Sequence, residues 1–243
     1  MAVQAVTRRE RVRQSTLREI RSIARRLLIA VGSSGVTVNA VAREMGMSGP
    51  ALYRYYSSHE ELVEAVTADF FTELTEVMRA ARDDAEAGTP SHRLLTTCRA
   101  MRSWTIAHRP EFGWMFASPP PRTHEPNSTS VRYRAKQDFE RVFFDQVVEI
   151  WRTRPFPVPA LEELDAPLRE RLRDYSAEMD GLLPPEAAHV FLSCWIRLYG
   201  LLCMEVLNQL EFCSDLESFF EECLRDLCAM LGLEYEPPPV RPA

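Results

Sequence analysis

Apolar residues recur at spacings of three and four along almost the whole chain, and no stretch shows sustained alternation. That period is helical: 3.6 residues per turn bring positions i, i+3, i+4 and i+7 onto one face, whereas a half-buried strand needs a period of two. The expected fold is therefore all-α, with about nine helices. A chain of 243 residues that is 46% apolar and 26% charged can bury a core without disulfides or metal. Its six cysteines contain no CxxC pair and mostly fall inside helical patterns, so they read as reduced core residues. The apolar runs are too short for a membrane span, and no apolar segment follows the N-terminal arginines; a cytoplasmic protein without a membrane partner is expected.

The first helix runs from about Gln14 to Val31 and is stopped at Gly32-Ser33-Ser34-Gly35. A second starts after Thr37 and ends at Gly46, a natural left-handed terminator. Ser48 is the expected N-cap of a third, two-turn helix that tolerates Pro50 in its first turn and carries Leu52 and Tyr56 inward. Ser57 and Ser58 with Glu60 and Glu61 form a capping-box pattern that opens a long fourth helix. Residues 117–130, with four prolines, read as a loop. Helices at 185–210 and 215–231 close the fold, and 233–243 read as a disordered tail.

Charge is divided unevenly. Residues 1–60 hold ten arginines against four glutamates, while the remainder holds 19 basic against 31 acidic residues. A basic end suits a polyanion. Within it, two short helices joined at Gly46-Met47-Ser48 and supported by a longer one form a helix-turn-helix. The outward residues of its second helix are Gly49, Pro50, Ala51, Tyr53, Arg54 and Tyr55. Arg54 suits a guanine edge or a phosphate, Pro50 and Ala51 suit thymine methyls, and the tyrosine hydroxyls suit phosphates.

The run Thr37–Leu62, TVNAVAREMGMSGPALYRYYSSHEEL, resembles the DNA-binding motif of tetracycline-repressor (TetR) family transcriptional regulators. By that resemblance Thr37 and Val38 start the helix lying across the DNA backbone, and His59 stands where most members have a phosphate-contacting lysine. Ala107–Phe116 with the proline-rich stretch after it, and the Trp195, Gly200, Glu205 spacing, resemble the C-terminal domain of the WHG-type branch. The implied organisation is a DNA-binding domain over residues 10–60 and a helical ligand-binding and dimerisation domain over 61–232.

In the body, Trp104, His108, Met115, Phe116, Phe143, Trp195 and Tyr199 are candidates for the walls of a pocket for a small, largely apolar effector; taken one by one they read first as plain core, because stripes at three and four are what any helix bundle shows. The last two helices carry more apolar surface than one bundle layer needs, which suits a homodimer. The expected partners are thus a double-stranded, pseudo-palindromic operator, a second copy and an effector. Nothing points to a cofactor, metal or catalysis: there is no HExxH, Walker loop, GxGxxG or GxSxG, and His189 and Cys194 point apart on one helix. The function expected is a repressor released by its effector. The alternatives are an activator or ligand-independent regulator and, from another class, a small-molecule-binding module that does not bind DNA.

Overall fold

The computed structural model describes residues 7–116 and 130–238. The expected loop at 117–130 lies outside these residues except for Ser130, as does the chain beyond 238. Among the described residues there are ten α-helices and no strand: α1 (Arg8–Val31), α2 (Val38–Glu44), α3 (Gly49–Leu52), α4 (His59–Asp84), α5 (Pro90–Ala107), α6 (Arg109–Phe116), α7 (Val131–Thr153), α8 (Ala166–Glu178), α9 (Pro185–Val206) and α10 (Leu216–Met230). They fall into two compact units, one of Met1–Glu73 with His108–Gln137 and the other of Leu74–Ala107 with Asp138–Ala243.

In the first unit, α1 begins earlier than Gln14, because Thr7 caps it by accepting from the Glu10 amide at 3.2 Å. Gly46 makes the turn after α2 with φ +66°, a conformation that costs glycine nothing. At Gly49 a Cβ would stand 3.0 Å from Asn39 Oδ1 on α2, so a larger residue there requires the Asn39 side chain to move. Only the first turn of the expected two-turn helix is regular. The chain beyond Leu52 continues through amides of Tyr55 and Tyr56 bonded to the Leu52 carbonyl at 2.8 and 3.2 Å. Ser48 occupies the N-cap without a side-chain bond. At the head of α4, Ser58 Oγ accepts from the Glu61 amide, while the Glu61 carboxylate reaches back to the amide and hydroxyl of Ser57. Ile20, Ala24, Val41, Leu52, Tyr56, Leu62 and Val66 are buried in this unit.

In the second unit α9 packs against α8, α10 and α5. Arg102 on α5 forms a buried two-pronged pair with Glu205 on α9, with both N–O distances 3.0 Å, and its guanidinium lies over the Phe220 ring. Helix α9 is long and apolar enough to cross a membrane by length and composition. Its Phe191, Leu198, Leu202 and ion-paired Glu205 are nonetheless buried inside the unit, as in a core helix. The first part of the expected tail makes contacts with this unit. Residues 234–236 are held: the Glu234 carbonyl accepts from Ser91, the Glu236 carbonyl from Arg99 at 2.7 Å, and Tyr235 donates to Glu221 at 2.7 Å beneath Arg225. A phenol that finds both an acceptor and a cation is held even in a proline-rich end.

Candidate nucleic-acid interface

The side chains offered by the helix-turn-helix follow from what its core consumes. Leu52 and Tyr56 are buried, so the residues between and before them must face outward. Pro50, Tyr53 and Arg54 are exposed, with Tyr53 half-exposed at 50%, and Ala51 and Tyr55 are partly so. Arg13 on α1 reaches the same face: its guanidinium carbon lies 5.9 Å from the centre of the Tyr55 ring. Arg8, Arg9 and Arg11 are exposed on the same helix.

At the start of α2, Thr37 Oγ1 accepts from the Ala40 amide at 3.1 Å. Val38 is buried, so a phosphate can meet only its main-chain amide, one of the first-turn donors that lack an intrahelical acceptor. His59 Nε2 lies 2.7 Å from the Val36 carbonyl. A carbonyl only accepts, so Nε2 carries the proton and a neutral ring keeps no donor for a phosphate. The unit is braced by Arg21, which bonds Asp69 at 2.5 Å and Tyr56 at 3.2 Å. Burial opposes the charge on Arg21, but these bonds outweigh it and lift its pKa above the ordinary arginine value. Burial also lifts the Tyr56 phenol. Arg25 bonds both Glu73 and the buried Glu111, and His108 stands 3.6 Å from Glu73.

The residues expected to line a pocket fall in two groups. His108, Met115 and Phe116 belong to the first unit, where Met115 is buried and Phe116 packs edge-on against Phe71 at 5.4 Å. Trp104, Phe143, Trp195 and Tyr199 belong to the second. There Trp195 stacks on Tyr199 at 5.9 Å and meets Phe143 at 5.6 Å. Phe143 and Trp195 line an apolar cavity with Leu94, Cys98, Phe191 and Cys194, of only about 30 Å³. Burial pushes the Cys194 thiol up to about 12, and Cys98 is likewise raised well above the ordinary thiol value, so both are neutral groups of the wall. Among the described residues no group of three or more His, Cys, Asp or Glu side chains is placed to hold a metal ion.

Sequence reasoning missed Arg13 and the Arg25–Glu111 pair. The first was hidden because α1 starts six residues before the expected Gln14. The second joins positions 86 residues apart, for which periodicity carries no signal.

A basic three-helix unit whose third helix is exposed, on a chain whose remainder is helical among the described residues, defines the class of helix-turn-helix regulators. Residues 20–66 match the model of bacterial regulatory proteins of the tetR family, and residues 94–227 match the tetracyclin repressor-like C-terminal domain. The chain belongs to the TetR family, whose members are transcriptional regulators and not enzymes. An HTH-type transcriptional regulator of Mycobacterium tuberculosis, Rv1816, is 32% identical over 121 residues, covering 50% of this chain and 52% of that protein. Mb1846 of Mycobacterium bovis matches to the same extent. The chain thus spans about half the length of these curated relatives. The crystal structure of the protein SCO4313 superposes with a TM-score of 0.66 at 27% identity, covering 91% of this chain and 98% of that one. A protein from Rhodococcus sp. RHA1 shares the fold at a TM-score of 0.64 and 17% identity, over 89% of this chain and 94% of that one.

Proposed function

We propose that the protein is a cytoplasmic homodimeric repressor that binds a pseudo-palindromic operator and leaves it when a small, largely apolar effector enters the helical body. The observation that carries the DNA-binding part is the exposure of Pro50, Tyr53 and Arg54 on a short helix whose Leu52 and Tyr56 are buried, with Arg13 beside Tyr55. In this reading residues 10–60 bind DNA: Arg54 reads a base edge, Ala51 and Pro50 meet thymine methyls, and Tyr53, Tyr55, Arg13 and the α2 amides hold phosphates. Residues 61–232 receive the effector and the second copy.

Dimerisation is supported by a stripe along α9, where Ile196 is 66% exposed and Met204 and Leu207 are exposed. Between Ile196 and Met204, a Cβ added at Gly200 would meet nothing, so the protomer itself does not require glycine there. Phe219 on α10 and Phe212 before it are exposed as well. A second copy that buries this face through the helices 185–210 and 215–231 sets the two reading helices about one turn of DNA apart, roughly 34–36 Å.

The effector is assigned to the second unit around Phe143 and Trp195, and the cavity there must widen to take it. Helix α4 contributes residues to both units, so a shift of that helix is the route by which occupancy alters operator affinity. The tightness of the cavity also favours a second reading, a regulator that needs no effector. Selection from random duplexes tests the main proposal: an enriched palindrome with steep salt dependence supports it, and no enrichment removes it. A thermal-shift screen followed by operator release separates the two regulatory readings.

A further inference from the structure

Helix α1 runs on past the core it serves. Ile20 and Ala24 are fully buried on one of its faces, whereas every residue from 8 to 15 is exposed. This overhang is about 12 Å long at the helical rise of 1.5 Å per residue. Positions 9 and 13 share the face of positions 20 and 24, because separations of four, seven and four all return to one side of a helix. The face that meets protein with Ile20 and Ala24 therefore continues with Arg9 and Arg13 where the protein beneath it ends. It ends at the reading helix: the Arg13 guanidinium carbon lies 5.9 Å from the centre of the Tyr55 ring.

The charges of the overhang work against the helix that carries them. Arg8, Arg9 and Arg11 stand in its first turn, at the positive pole of the helix dipole, where cations are unfavourable. Arg9 and Arg13, four residues apart, repel one another. Glu10 is the one acid between residues 8 and 15, and its carboxylate accepts from Gln14 at 2.7 Å. Among the described residues Arg8, Arg9, Arg11 and Arg13 have no ion-pair partner. A solvated helix gains nothing from this arrangement, and local choices that oppose the local structure mark functional positions. A row of phosphates removes both penalties by setting a negative charge against each arginine.

We propose that the overhang is a second DNA-binding element, in which Arg9 joins Arg13 on backbone phosphates beside the base pairs that α3 reads and adds affinity without sequence preference. Residue 9 lies outside the segment assigned to DNA above, and the inference rests on that DNA-binding reading. Arg11, two residues further on, lies on the opposite face of α1 and stays in solvent.

Binding of the full-length protein to a labelled duplex of mixed sequence, measured between about 50 and 200 mM salt, tests this. Each phosphate contact steepens the fall of log affinity with log salt by about 0.9, so losing one makes the fall across that range about threefold smaller. Arg9→Ala should bind more weakly than wild type at low salt, with the gap narrowing by about that threefold at high salt. Arg11→Ala removes the same charge from the opposite face and should keep the wild-type slope. Alanine is the strongest helix former, so neither variant should lower Tm, which separates a lost contact from a damaged helix. A wild-type slope in Arg9→Ala, or equal changes of slope in Arg9→Ala and Arg11→Ala, overturns the proposal and leaves the DNA-binding reading in place. A wild-type protein that binds no duplex removes both.

Discussion

Arg25 on α1 and Glu111 on α6 are joined through Nε and Oε1 at 2.8 Å, and Glu111 is only 2% exposed. The same guanidinium holds Glu73 on α4 at 2.6 Å, so one side chain fastens three helices of the first unit. Burial works against the Arg25 charge, yet the two carboxylates hold its pKa above the ordinary value. Truncating Arg25 leaves a buried carboxylate without its cation, a change that costs about 3 kcal/mol, the low end of the usual range because the arginine is partly solvated. Urea unfolding should show Arg25→Ala losing more stability than Arg25→Ala/Glu111→Gln. If the double variant is the less stable, the pair is not what braces the unit.

Operator contacts divide by what they read. Arg54→Ala should cost about 1–3 kcal/mol on the matched operator and relax preference at one position, whereas Tyr53→Phe should weaken all duplexes alike. Competition binding on matched and base-substituted duplexes distinguishes the two, and equal losses for Arg54→Ala on both demote it to a backbone contact.

Arg13 and His59 test the phosphate contacts. Arg13→Ala should lower the salt dependence of binding by roughly one counterion while leaving sequence preference unchanged. His59→Lys should do the reverse, adding a cation where the imidazole spends its Nε2 donor on the Val36 carbonyl. Affinity measured across a salt series reads both, and unchanged slopes place these residues off the DNA.

The α9 face predicts assembly. Ile196→Glu combined with Met204→Glu puts charges on the exposed stripe without touching the buried side of the helix. Sedimentation should show a monomer whose far-UV spectrum is unchanged and whose palindrome binding is lost. A stable dimer of this variant would move the interface elsewhere.

Acid sensitivity should report the pinned end of the chain. Burial raises the Glu221 carboxyl, but bonds from Arg99 and Tyr235 overcome that and leave it below the ordinary carboxylate value. Because the folded value is the lower one, its contribution is complete above the unfolded value, about 4.3, and is lost as pH falls through the folded value. Glu221→Gln should therefore be less stable than wild type at pH 7, with the difference shrinking below about pH 4. A difference that does not change with pH would mean that the carboxylate's charge plays no part.

What the sequence by itself determined is the local architecture. Apolar spacing of three and four specified the helices, Gly46 the turn, Leu52 and Tyr56 the inward side of the reading helix, and Ser58 with Glu61 the start of α4. All of these are interactions within about four residues, so their chemistry is written in adjacent letters. Tertiary structure alone decided that Arg25 serves Glu111, that Arg102 buries Glu205, that His59 turns to Val36 and that Tyr235 holds the tail to α10. It also assigned His108, Met115 and Phe116 to one unit and Trp104, Phe143, Trp195 and Tyr199 to the other. These partners stand from 14 to 103 residues apart, and a pairing across that distance is selected by which helix faces meet, since many arginines and carboxylates of the chain would satisfy the same local pattern.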